Sequence, residues 1–200
     1  MTFKESPEWE LGQWGEIHVR RWLERSGKFV VPTSCIEDGG APALTRLLQR
    51  LVLPDYQTFD SNGGGWWEVK TKTRAMLYQK ANEWRTGVDL RLWNAYREVE
   101  QATQLPGHLV MIHLNPKELH RKLLVARMDD LVAIPHSGST TSYGGSELVF
   151  FRIDDFDRVT FTASGPQLPP HIEPKIVRPW EVDKPMGEPQ LPLWTGSGAI

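Results

Sequence analysis

Residues 66–72 read WWEVKTK and follow directly on the turn-forming run DSNGGG at 60–65. An extended strand alternates its side chains, so Glu68, Lys70 and Lys72 fall on one face and Trp67, Val69 and Thr71 on the other. The β-prone stretch LPDYQTF at 53–59 precedes the turn. Two such stretches joined by a short Asp/Asn/Gly loop predict an antiparallel hairpin. Closing it through 60–65 sets Asp55 roughly opposite Glu68. Like charges that face each other across a ladder destabilise a sheet. A divalent cation removes the penalty by taking both carboxylates as hard oxygen ligands. Lys70 lies beside the same spot, where an ammonium can hold a phosphate oxygen or orient an attacking water.

Other elements must position this face. LGQWGEIHVRRWLERS at 11–26 predicts a helix that Gly27 ends, with Leu11, Trp14, Val19, Trp22 and Leu23 forming its apolar stripe. Glu16 sits at the border of that stripe, where an unpartnered carboxylate is expensive. A cation on the sheet would supply its partner. Residues 28–34 predict a strand. ALTRLLQRLV at 43–52 predicts a second helix, from Leu44, Leu47, Leu48 and Leu51 at i, i+3, i+4, i+7 spacing. Residues 74–84 read as irregular or as a short helix, and 89–104 as a helix. Strands are expected at 108–114, 147–153 and 157–163. A strand with a turn of helix is expected at 123–133, and 137–146 reads as a mobile loop. The class is α/β, with a mixed central sheet of about five strands flanked by helices.

The order of helical Glu16, Pro54-Asp55, a glycine turn and Glu68-Val69-Lys70 resembles the PD-(D/E)XK nuclease superfamily. Within it, the pattern is most similar to the Holliday-junction-resolvase branch and its bacterial and phage restriction-endonuclease-like relatives. The resemblance spans residues 12 to 114. It implies a restriction-endonuclease-like core and an endonuclease that hydrolyses phosphodiester bonds in DNA with Mg²⁺, or Mn²⁺ as a substitute. It also implies that Asp55, Glu68 and the Val69 carbonyl bind the metal, that Glu16 helps to hold it, and that Lys70 activates or positions the water. Two departures stand out. The 43–52 segment is inserted before Asp55, and the Gln-xxx-Tyr signature of RecB-like exonucleases is missing, since Tyr96 and Gln101 occur in the reverse order.

The chain carries a net charge of −2, which argues against a protein that coats nucleic acid by bulk charge. Residues 17–85 nevertheless hold eleven Lys/Arg against seven Asp/Glu. Arg20, Lys72, Arg74 and Lys80 in this stretch are candidates for tracking DNA phosphates. The single cysteine, Cys35, and an N-terminus without a signal-peptide pattern predict a cytoplasmic protein with no membrane association. Eight of the 15 prolines fall within 166–200, which predicts a disordered tail after a 1–165 nuclease domain. Within that tail Gln190, Leu191, Leu193 and Trp194 resemble the peptide that binds bacterial or phage sliding clamps, implying recruitment in replication, repair or recombination. Two other readings stand beside the nuclease: a non-catalytic adaptor that grips DNA and clamp, and a restriction-type endonuclease. The substrate stays open among branched, single-stranded and duplex DNA and RNA, and symmetric cutting of both strands would call for a homodimer.

Overall fold

The computed structural model describes residues 6–36, 43–46, 49–72, 75–113, 122–135 and 147–160. Helix α1, Pro7–Arg25, starts at Ser6, whose hydroxyl accepts the Trp9 N–H, and it carries Glu8 and Glu10 in its first turn. Both features suit the positive end of a helix. Leu11, Trp14, Val19 and Leu23 are buried as the stripe requires, and Gly27 takes φ 81° just beyond the end. Strand β1, Phe29–Pro32, follows.

The expected helix over 43–52 is absent. Its place is taken by an antiparallel pair, β2 (Ala43–Arg46) and β3 (Gln49–Val52), with Leu44 opposite Leu51. The leucines have helical spacing, but the window is short enough for a strand pair to compete. Burial decides between them: Leu51 and Leu53, two residues apart, both cluster with Trp66 and Val99.

The hairpin around the motif forms as expected but with a tighter turn. Strands β4 (Tyr56–Asp60) and β5 (Gly63–Lys72) are joined through Ser61 and Asn62 alone. Asp60 accepts the Asn62 N–H at 2.7 Å, and Gly63 sits at φ 123°, where only glycine is at ease. Beyond β5, the segment read as irregular or helical is instead a hairpin of β6 (Met76–Tyr78) and β7 (Glu83–Asp89). Helix α2, Leu90–Thr103, is capped by Asp89, which accepts the Arg91 and Leu92 N–H groups. The remaining strands are β8 (Gly107–His113), β9 (Lys122–Arg127), β10 (Ile134–Pro135), β11 (Leu148–Arg152) and β12 (Asp157–Thr160).

Six strands, rather than about five, make the central mixed sheet, in the order β1-β4-β5-β8-β9-β12. Only β5 and β8 run parallel; the other pairs are antiparallel. The sixth strand is β12, which pairs with β9 along its whole length. A four-stranded antiparallel sheet, β10-β11-β7-β6, is separate.

Strand β8 is buried on both faces and divides the core. Val110 and Ile112 pack with Trp67, Val69 and the stripe of α1. Leu109 and Met111 pack on the opposite side with Trp93 and Tyr96 of α2 and with Val149 and Phe151 of the smaller sheet. The structure is thus α1, central sheet, then α2 with the second sheet. Among the described residues no helix is long and apolar enough to cross a membrane. Arg74, the 137–146 loop, the 166–200 tail and the Gln190, Leu191, Leu193 and Trp194 peptide lie outside the described residues.

Helix α1 approaches β5 closely because residue 15 has no side chain. A Cβ on Gly15 would stand 1.8 Å from Thr71 Oγ1 and 3.1 Å from Thr71 Cβ. Gly15→Ala therefore lowers stability by about 1–3 kcal/mol despite alanine's better helix propensity. Thr71 Oγ1 is buried without a hydrogen-bond partner, so Thr71→Ala alone is nearly neutral and recovers most of the loss in the double variant. Urea unfolding of the four proteins checks this; a Gly15→Ala protein as stable as the parent would refute the close packing.

Candidate active site

The backbone before β4 is pinned from β1. Thr33, buried just past that strand, donates its N–H to the Asp55 carbonyl at 3.0 Å and its hydroxyl to the Pro54 carbonyl at 2.7 Å. The Asp55 carboxylate accepts the Val69 N–H at 2.8 Å. The last β4–β5 pair is Tyr56 with Trp67, so one further step of the register sets Asp55 facing Glu68. The two carboxylates meet as the sequence suggests.

The face they share is not a solvated one. Glu68 is only 1% exposed. Its Oε1 accepts the Tyr96 hydroxyl at 2.7 Å and pairs with the Lys70 ammonium. Its Oε2 is buried with no hydrogen-bond partner. A buried carboxylate oxygen left in this state is costly. Burial, and then the charge of Glu68, push the Asp55 carboxyl well above the usual carboxylate range, against the opposing pull of Lys70. Burial and Glu68 also raise Glu16 on α1, whose Oε2 accepts from Gln13 at 3.2 Å. Burial alone would lower Lys70, but Glu68, Asp55 and Glu16 together hold it above the ordinary lysine value. Lys70 is thus a fixed cation at neutral pH and not a base. Tyr96, raised by burial and by Glu68, stays a neutral donor.

Asp55, Glu68 and Lys70 are brought together, and Glu16 comes near enough for its charge to bear on all three. Among the described residues no set of three His, Cys, Asp or Glu side chains is close enough to hold a metal ion. The facing Asp–Glu pair still fits a hard cation. Mg²⁺ commonly takes one or two carboxylates and keeps several waters. The orphaned Glu68 Oε2 and the raised Asp55 are both relieved by positive charge between them. Val69 meets Asp55 through its N–H. Of the candidate phosphate contacts, Arg20 is exposed and paired with Glu24 at 2.8 Å. Lys80 is exposed in the turn after β6, and Lys72 is half-buried on the Glu68 face.

Two positioning residues escaped the sequence reading. Tyr96 carried a usable signal: it shares the apolar stripe of the 89–104 helix with Trp93, and a buried tyrosine hydroxyl needs a partner. Thr33 carried none, because its role depends on β1 pairing with β4.

No protein-family model and no curated protein matches the sequence. Solved structures similar to this chain include Hjc from Archaeoglobus fulgidus, a Holliday junction resolvase from an archaeal hyperthermophile. It has a TM-score of 0.44 and 10% identity over 72% of this chain and 86% of that one. Another is D212, a nuclease from a fusselovirus, with a TM-score of 0.36 and 10% identity over 78% of this chain and 87% of that one.

The raised Asp55 carboxyl has a thermodynamic consequence. Between the ordinary carboxylate range and its folded value, the folded protein keeps a proton that the unfolded chain has released. Stability therefore falls as pH rises through that window. Asp55→Asn keeps the acceptor for Val69 and removes the charge. Its Tm should exceed that of the parent by about 2–4 °C at pH 8, and the two should converge as the pH falls toward 4. Millimolar Mg²⁺ should raise the parent's Tm and leave the variant's unchanged. Thermal melts across pH check both; an Asp55→Asn protein less stable than the parent at pH 8 would show that the carboxylate pair carries no strain.

Proposed function

We propose that this protein is a metal-dependent endonuclease that hydrolyses phosphodiester bonds in DNA. The observation that carries the reading is the half-buried Asp55 facing the buried Glu68, with Lys70 beside them. A surface that only grips DNA gains nothing from carboxylates turned toward a phosphate. Asp55 and Glu68 would hold Mg²⁺, with the Val69 carbonyl as the further donor that the resemblance assigns; Glu16, which completes no three-acid cluster with them, would act on the site through its charge. Bound there, such an ion would polarise a phosphoryl oxygen and lower the pKa of a water.

The chain's own residues do the rest. Lys70, held as a cation by the surrounding acids, donates to a non-bridging phosphate oxygen or to the attacking water, and so offsets charge that grows as the bond breaks. The Tyr96 hydroxyl holds Glu68 through Oε1 and leaves Oε2 without a hydrogen-bond partner. Thr33 and the Val69 N–H keep Asp55 from swinging away from its repulsive neighbour.

Cleavage of an end-labelled panel (junction, flap, single strand, duplex) tests the proposal. The parent should cut at least one substrate with Mg²⁺ or Mn²⁺ and none with EDTA, and Asp55→Ala and Lys70→Ala should each lose about 100-fold or more. Binding without cutting by the parent, or cutting by Asp55→Ala at the parent's rate, would overturn it. The best substrate on the panel would decide whether the enzyme selects branched DNA.

Recruitment by a sliding clamp extends the proposal to the QLPLW stretch at 190–194. A peptide covering 185–200 should retain a bacterial clamp on beads and lose it on Gln190→Ala with Leu193→Ala. No retention by the parent peptide removes the recruitment idea.

A further inference from the structure

We propose that Lys72 binds the phosphate adjacent to the one cleaved, on the same nucleic-acid strand, so that β5 grips two successive phosphates. This rests on the nuclease reading and identifies how the site holds its substrate. Lys72 lies on the Glu68 and Lys70 face of β5, and the parallel pairing places the three in register with His113, Leu109 and Met111 of β8 respectively. Two residues of extended strand span about 6.6–6.8 Å, close to the spacing of neighbouring phosphates along one strand.

The two lysines sit in opposite surroundings. Lys70 pairs with Glu68. Lys72 has neither a hydrogen bond nor an ion pair among the described residues, although it is half-buried. Its neighbour across the ladder, His113, is buried, and its Nε2 lies 3.0 Å from Thr86 Oγ1. Burial and the nearby Lys72 push His113 down to about 3, so it is neutral at physiological pH and does not add to the local positive charge. Burial and then Lys70 both bear against the Lys72 charge as well. Two ammoniums on one face with only one of them compensated repel each other, and an anion beside Lys72 relieves that repulsion. On the nuclease reading the Asp55 and Glu68 pair and Lys70 take the scissile phosphate, so the anion that fits at Lys72 is the next phosphodiester.

The experiment separates binding from chemistry by using the Asp55→Asn protein. Its affinity for the labelled DNA that the parent cuts best is measured by anisotropy across a salt series. Adding Lys72→Gln should weaken binding at low salt and flatten the log–log salt slope by about one, while Lys72→Arg retains both. Arg158→Gln, which removes an exposed charge on β12, should leave the slope unchanged. In turnover, Lys72→Gln should raise KM several-fold with kcat nearly constant, whereas Lys70→Gln lowers kcat. The Tm of Lys72→Gln should equal or exceed that of the parent, since an uncompensated charge is removed. Binding by the Asp55→Asn protein with an unchanged slope on Lys72→Gln overturns the assignment alone. So does a loss of affinity that accompanies a fall in Tm and is not restored by arginine. Absence of binding by the Asp55→Asn protein, together with absence of cutting by the parent, overturns the nuclease reading and this assignment with it.

Discussion

Two carboxylates held face to face across a sheet repel each other, and the structure around Asp55 and Glu68 is organised to keep them there. Each acid is fixed by bonds from a different part of the fold. The backbone of Asp55 is anchored by Thr33 at the end of β1, and its carboxylate by the Val69 N–H. Glu68 is held by Tyr96 from α2 and by Lys70 from its own strand. Loss of either anchor would let one acid turn toward solvent and dissolve the pair. The repulsion is therefore stored in the folded state by β1, β5 and α2 together.

Topology explains why those elements meet. Strands β5 and β8 are parallel, so the chain must cross over between them, and α2 lies in that crossover. The crossing lays α2 on the Leu109 and Met111 side of the sheet, which is also the Glu68 side, and so delivers the Tyr96 hydroxyl to Glu68. Helix α1 takes the opposite face, where Gly15 allows its backbone to come down on Thr71. The aliphatic half of β5 is buried by one helix and the charged half is closed over by the other. A strand in the middle of a sheet can carry an acid and two lysines because its other face supplies the packing against α1.

The site was more legible in the sequence than the fold around it. A period of two and a glycine turn fix the faces and register of a hairpin locally, so Asp55, Glu68 and Lys70 could be brought together from residues 53–72 alone. The 43–52 segment could not be read this way. Its leucines carry helical spacing, and that local signal is overridden by the packing of Leu51 with Trp66 and Val99, distant in sequence. The β6–β7 hairpin was hidden for a similar reason: Tyr78, Trp84 and Arg85 have no clear alternation, and β7 is stabilised by pairing with β11 some sixty residues later. Thr33 belongs with these, since nothing local marks it as the anchor of Asp55. Tyr96 was readable in principle, because a polar tip on a buried stripe asks for a partner.

Along one face of β5 the electrostatic surroundings change within four residues. Glu68 is an acid faced by another acid, Lys70 is a cation surrounded by acids, and Lys72 is a cation with no ion pair among the described residues. The same side chain is pushed in opposite directions at the last two positions: Lys70 upward by its carboxylates, Lys72 downward by burial and by Lys70. A protein of net charge −2 has little general attraction for a polyanion. A strand that runs from a cation-seeking pair through a compensated lysine to an uncompensated one instead creates a local field with a direction. On the proposed reading, a phosphate chain laid along that field would meet the Asp55 and Glu68 pair at one end and the Lys72 ammonium at the other, so the strand that supplies the chemistry would also supply the alignment.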